Sequence, residues 1–199
     1  MEAGGNAVDA AVATGFCLEV LEPHLTGIGG EVPILIYSSR QGRVFSLSGQ
    51  GVAPRAATID WFRSRGISLI PGDGLLAATV PAAVDTFITA LAEFGTLPLG
   101  QVLAPALSLA SNGFPMYRTL RDNIAANAAR YREEWPTTAR IFLPQGRVPA
   151  VGEILRQPDW AETFEKLVRA EHDARGRGRA AALQAARDVF YRGEIAERI

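Results

Sequence analysis

The sequence predicts an α+β fold in which one β-hairpin is followed by a long run of helices, and three observations carry that expectation. Residues 32–37 form a continuous apolar run of core-strand length. A turn at 38–42, rich in Ser and Gly, leads into a second strand at 43–47, the pattern of a hairpin with a longer loop. Beyond Pro54 the apolar residues recur at helical rather than alternating spacing. A lone hairpin cannot build its own core. Its sheet partners are therefore expected outside these 199 residues, which read as part of something larger.

The elements follow in order. Residues 6–22 read as a helix, with Gly4-Gly5 before it and Pro23 to stop it. Ala7, Val8, Ala11, Val12, Gly15, Phe16 and Leu18 leave it almost no polar face, so it is expected to be buried all round. Gly27-Ile28-Gly29-Gly30 then opens the first strand, and Ser48-Gly49-Gln50-Gly51 forms a loop ended by Pro54. Thr58 suits the N-cap of a short helix to Arg65. Pro81 suits the first turn of a helix reaching Phe94, with Val84, Phe87, Ile88 and Leu91 on one stripe and Gly95 as C-cap. Further helices are expected over 99–111, containing Pro105, and over 117–132, 158–172 and 179–190. The count is one hairpin and about seven helices.

Composition bounds the function. The chain is 48% hydrophobic and 21% charged with net charge −1, an ordinary globular balance. That charge leaves no electrostatic footprint for nucleic acid or an anionic membrane, so neither is expected as a partner. No apolar run reaches the length of a membrane-spanning helix. Cys17 stands alone in the first helix, which excludes an internal disulfide and leaves it as a small buried hydrophobe.

The residues that could carry chemistry are few. His24 and His172 are the only histidines, and with one cysteine they supply no zinc ligand set. His24 has no local nucleophile to serve and reads as a loop histidine held by backbone hydrogen bonds. The Gly27-Ile28-Gly29-Gly30 turn lacks the third glycine of a dinucleotide loop, since Val32 stands there, and it follows a helix instead of a strand. No cofactor and no metal is expected. Asp9 lies inside the first helix and reads as a structural carboxylate that accepts from nearby backbone N–H groups. Arg175, Arg177 and Arg179 alternate with small residues and read as a solvated turn.

Taken together, the run from Gly4 to Ala13, the Glu22-Pro23-His24 corner and Thr26-Gly27-Ile28-Gly29-Gly30 resemble the large-subunit signature of the gamma-glutamyltransferase family. Colinear likenesses continue through Ala53-Pro54-Arg55-Ala56-Ala57-Thr58, residues 75–81, Phe94-Gly95-Thr96-Leu97-Pro98, Leu103-Ala104-Pro105-Ala106, Asn112-Gly113-Phe114-Pro115 and Phe190-Tyr191-Arg192-Gly193. They cover nearly the whole chain.

The resemblance implies an Ntn-hydrolase αββα sandwich, of which residues 1–199 are part of one large-subunit domain. It implies a precursor that cuts itself, a small-subunit segment as partner, and a small amide such as glutathione as substrate. The nucleophile would be the new N-terminal threonine of that small subunit, with its α-amine as base and a covalent acyl-enzyme as intermediate. No catalytic residue is then expected in this chain. Met1 would be an internal methionine, and Thr137-Thr138, expected in a loop, match no nucleophile motif.

One departure bears on specificity. Where typical members read Asp-Gly-Arg-Glu-Thr-Ala-Pro, this chain reads Ser48-Gly49-Gln50-Gly51-Val52-Ala53-Pro54. The family arginine that pairs the γ-glutamyl α-carboxylate aligns with Gln50. A guanidinium grips a carboxylate with two charged bonds, whereas glutamine offers a neutral amide. Amides other than γ-glutamyl ones are then plausible substrates. The competing class is a non-enzymatic helical binding module, or an inactive relative that uses the scaffold to hold a partner.

Overall fold

The computed structural model describes residues 2 and 4–199; Met1, read above as an internal methionine, lies outside them. Helix α1 (Ala7–Leu21) starts at Asn6, whose side chain accepts from the Val8 and Asp9 amides while Asp9 reaches back to the Asn6 amide. That reciprocal cap satisfies donors that a helix start otherwise leaves bare. The expectation of burial all round is corrected. Val12, Phe16 and Val20 are buried, but Ala7, Ala11 and Leu18 face outward. An apolar surface that looks uniform in sequence is covered on one side only.

Strands β1 (Ile34–Ser38) and β2 (Arg43–Leu47) pair antiparallel, with Ile34 opposite Leu47 and Ile36 opposite Phe45. The first strand was expected from residue 32. Instead the Val32 amide donates to the Gly49 carbonyl, 2.8 Å away, and Pro33 has no N–H for the ladder. One face of the hairpin turns inward: Ile36 is buried and Phe45 packs on Phe94 at 5.0 Å. The other face exposes Leu35, Tyr37 and Val44.

Helix α2 (Ile59–Arg63) is capped by Thr58 as expected but stops short of Arg65. Helices α3 (Ala83–Phe94), α4 (Leu99–Asn112), α5 (Arg118–Glu133), α6 (Pro136–Phe142), α7 (Pro158–Ala174), α8 (Arg179–Tyr191) and α9 (Glu194–Arg198) follow. Nine α-helices thus stand among the described residues against about seven expected. The additions, α6 and α9, are short. A second two-stranded sheet joins β3 (Phe114–Pro115) to β4 (Ile154–Leu155).

The core lies where α1, α3, α4, α7 and α8 meet. Phe16 stands at its centre, 4.6 Å from the Phe87 ring and 5.8 Å edge-on to Phe164. The corner between α3 and α4 is tied down by polar groups from three places in the chain. Asn6 Nδ2 donates to the Phe94 carbonyl, and the Arg179 guanidinium donates to the Leu91 and Leu97 carbonyls. Glu171 accepts from the Leu99 and Gly100 amides, capping α4 at long range. Arg179 is therefore more than part of a solvated turn, which corrects that reading.

Candidate functional site

Gln50 occupies a loop whose backbone is fixed on both sides. The Gly49 carbonyl accepts from the Val32 amide at 2.8 Å, and the Val52 carbonyl accepts from the Val80 amide at 2.9 Å. Gly49 has φ 58°, a left-handed conformation that favours glycine. A Cβ there would overlap the Val32 carbonyl, and one at Gly51 would overlap the Val80 carbonyl. The two glycines let the chain thread between its neighbours, and Gln50 is displayed outward between them, exposed.

Beside this loop a groove of about 1130 Å³ opens between the outward face of α1 and the hairpin. Val8, Leu18, Val32, Ile34 and Ile36 form its apolar walls. Val32, whose amide holds Gly49, is one of those walls, so the loop that carries Gln50 is joined to the groove through its backbone.

Polar side chains break the apolar lining, and two of them, Glu19 and His24, each bury an atom that has no partner. Glu19 is 5% exposed and its Oε2 has no hydrogen-bond partner; burial pushes its carboxyl up to about 7. His24 is not held by backbone hydrogen bonds, contrary to expectation. Its Nδ1 is buried without a partner, and its Nε2 lies 3.7 Å from Glu22 Oε2. Glu22 in turn accepts from the Tyr117 hydroxyl at 2.8 Å. Burial, reinforced by that carboxylate, pushes the Tyr117 phenol well above its usual range.

Asp9 is structural in the way its position suggests. Its carboxylate accepts from the amides of Asn6, Thr96 and Leu97 and from the Thr96 hydroxyl. Burial alone would raise its pKa, but these donors outweigh it and hold the carboxyl below the usual range. Thr137 and Thr138 lie in α6 rather than in a loop. Cys17 is half-buried, and burial raises its thiol pKa.

Among the described residues, neither histidine ring hydrogen-bonds to a hydroxyl or thiol, and no group of three His, Cys, Asp or Glu side chains converges. The site has walls, a displayed amide and two unpaired polar groups, and among the described residues its histidine is not bonded to a hydroxyl or thiol. Sequence reasoning passed over Glu19. The available signal was a lone acid in the apolar stretch Cys17-Leu18-Glu19-Val20-Leu21, which only burial makes noteworthy.

A family model described as Gamma-glutamyltranspeptidase matches residues 1–199. The glutathione hydrolase-like YwrD proenzyme of Bacillus subtilis (strain 168) is 35% identical over 207 residues, covering 100% of this chain and 35% of the relative. The acylase ACY 1 proenzyme of Pseudomonas sp. (strain V22) is 39% identical over 180 residues, covering 85% of this chain and 31% of the relative. Among solved structures, one described as LmbA2991HD superposes with a TM-score of 0.92 at 42% identity, covering 98% of this chain and 33% of that one. The chain spans about a third of the length of the curated relatives it matches.

Proposed function

This chain belongs to the gamma-glutamyltranspeptidase family, and from that premise we propose that residues 1–199 are part of the large-subunit domain of an N-terminal-nucleophile amidohydrolase or acyltransferase. The observation that carries the reading is the match along the whole chain, in a structure where, among the described residues, neither histidine hydrogen-bonds to a hydroxyl or thiol. Chemistry of this class needs a hydroxyl and a base held together. A threonine in a small-subunit segment of the same precursor meets that need, its own α-amine serving as base.

The reaction follows from that arrangement. The threonine Oγ attacks the amide carbonyl as its proton passes to the α-amine. The C–N bond then breaks, and the proton returns to the departing amine. Water or an acceptor amine attacks the acyl ester and frees the threonine.

In this account the present chain supplies part of the donor pocket. Gln50, fixed by Gly49 and Gly51, faces the acyl donor where an arginine would grip an α-carboxylate. A neutral amide favours donors without that charge, and the presence of an acylase among the relatives supports this direction.

The test is expression of the complete reading frame that contains this chain, with kcat/KM measured on chromogenic γ-glutamyl and uncharged acyl amides. The expected result is turnover by the whole protein, with uncharged amides preferred, and none by the 199-residue chain alone. Turnover by the isolated chain, or a folded whole protein inert to every amide, overturns the proposal.

A further inference from the structure

Glu19 and His24 share an unusual condition: each is buried in the wall of the same groove, and each has a polar atom with no partner. An unpaired carboxyl oxygen in apolar surroundings is costly, and native proteins leave few. The groove shows a second imbalance. Glu19 and Glu31 line it, whereas no lysine or arginine does. The rest of its walls are mostly carbon, with the hydroxyls of Thr14, Thr26 and Tyr37 among them, and they include Leu35 and Tyr37 from the bare face of the hairpin.

The occupant must therefore cover a wide apolar surface and bring a positive hydrogen-bond donor. The volume of about 1130 Å³ is at or above the roughly 300–1,000 Å³ of ordinary ligand pockets, and it suits a stretch of polypeptide. The relatives carry about twice as much additional chain as this one spans, since it covers 35% of one and 31% of the other.

We propose that this groove seats an element of the small-subunit segment of the same precursor, and that the element brings an arginine or lysine whose N–H groups bond the Glu19 carboxylate. This rests on reading the chain as a large-subunit portion. His24 Nδ1 becomes the second polar contact of the same interface. The pair fixes the register of a surface that is mostly apolar and would allow sliding.

The pairing makes assembly depend on proton release. In the uncovered groove burial holds the Glu19 carboxyl near 7, and a cation bonded to it lowers that value. A group whose pKa falls on association stabilises the complex above its free value and loses that contribution as pH falls through the bound value. Association is therefore tighter at pH 8 than at pH 6. The titratable groups that share the groove are His24 from the corner after α1, Glu31 from the glycine turn and Tyr37 from β1; α3 contributes only Phe87 and Ala90.

The experiment uses the processed two-subunit protein from the complete reading frame, with subunit dissociation constants measured at pH 8 and pH 6. Variants Glu19→Leu and Glu19→Gln accompany the wild type. Glu19→Leu is expected to weaken association about tenfold at pH 8, because it strands a buried donor. Glu19→Gln keeps part of the affinity, and in both variants the tightening from pH 6 to pH 8 is smaller than in the wild type, His24 keeping its own share. The opposite sign is decisive, since an unpartnered carboxyl is better removed: association unchanged or tightened in Glu19→Leu overturns the proposal, as does a pH dependence undiminished in both variants.

Hydrogen exchange on α1 separates the occupants. Protection of its outward face in the processed protein is expected. Protection that needs an amide substrate, or that grows with protein concentration, assigns the groove to a ligand or a second copy and overturns the proposal while the family reading stands. Absence of processing and of amide turnover would bring down both.

Discussion

At the scale of single residues, what the sequence reveals depends on whether a side chain's partners are local. Asp9 is legible, because a carboxylate inside an apolar helix must find donors and the first, the Asn6 amide, lies in its own helix start, although Thr96 and Leu97 complete the set from a distant part of the chain. His24 is misread, because its neighbours come from Glu22 and from Tyr117 on a distant helix start. Glu19 is missed, because its significance lies in what fails to reach it. Two predictions follow from these side chains. Asp9→Asn should lower the stability of the whole protein by about 1.5–3 kcal/mol in urea titrations near neutral pH, the usual worth of bonds to a charged group. The Asp9 pKa is depressed in the fold, so its contribution is present above the unfolded carboxylate value and disappears as pH falls through the folded one. The acid limb of stability below about pH 4 should accordingly flatten in the variant; an unchanged limb would deny Asp9 this role. For Gln50, substitution by arginine should raise kcat/KM for γ-glutamyl donors at least tenfold and leave uncharged amides nearly unaffected, since a bidentate charged contact is restored. An efficient wild-type γ-glutamyl reaction that Gln50→Arg does not change would pass the carboxylate-binding role to another residue, with Arg55 nearby in the loop the first to try.

Among the elements, the hairpin and the long helices were readable because each carries its own period or cap. Residues 43–47 alternate, Thr58 caps α2, and Val84, Phe87, Ile88 and Leu91 are all buried as their spacing implies. Helix α6 was missed because Pro136-Thr137-Thr138 looks like a loop and only seven residues follow the helical path. The β3–β4 pair left no local signal, since two-residue strands some forty positions apart meet only through the fold. Close approach of α1 to α3 is another tertiary fact, and it is testable. A Cβ at Gly15 would stand 2.5 Å from Phe87 Cζ, so Gly15→Ala must push the ring aside. Overpacking of this kind costs about 1–3 kcal/mol. Phe87→Leu in the same chain should recover part of the loss, and a double-mutant cycle in urea measures the coupling. Strictly additive effects would show that the two helices do not meet through this pair.

For the molecule as a whole, the proposed reading gives the bare hairpin face a meaning: the chain spans about a third of the length of the curated relatives it matches, and on that reading the remainder of the fold would cover this face. Leu35, Tyr37 and Val44 are exposed on a sheet with two unpaired edges, and such edges recruit other chains. Size-exclusion chromatography of the 199-residue chain should show self-association, and co-expression with the downstream segment should give a compact soluble species. A compact, stable monomer of the isolated chain would contradict this. The account's central claim is that the nucleophile is supplied by the remainder of the precursor, and intact-mass analysis tests it most directly. The complete protein should resolve into two polypeptides, the smaller beginning with threonine and the larger containing this chain uncut, while the 199-residue chain alone keeps its full mass. A specific cleavage within these residues, or an active whole protein that stays a single polypeptide, would contradict it.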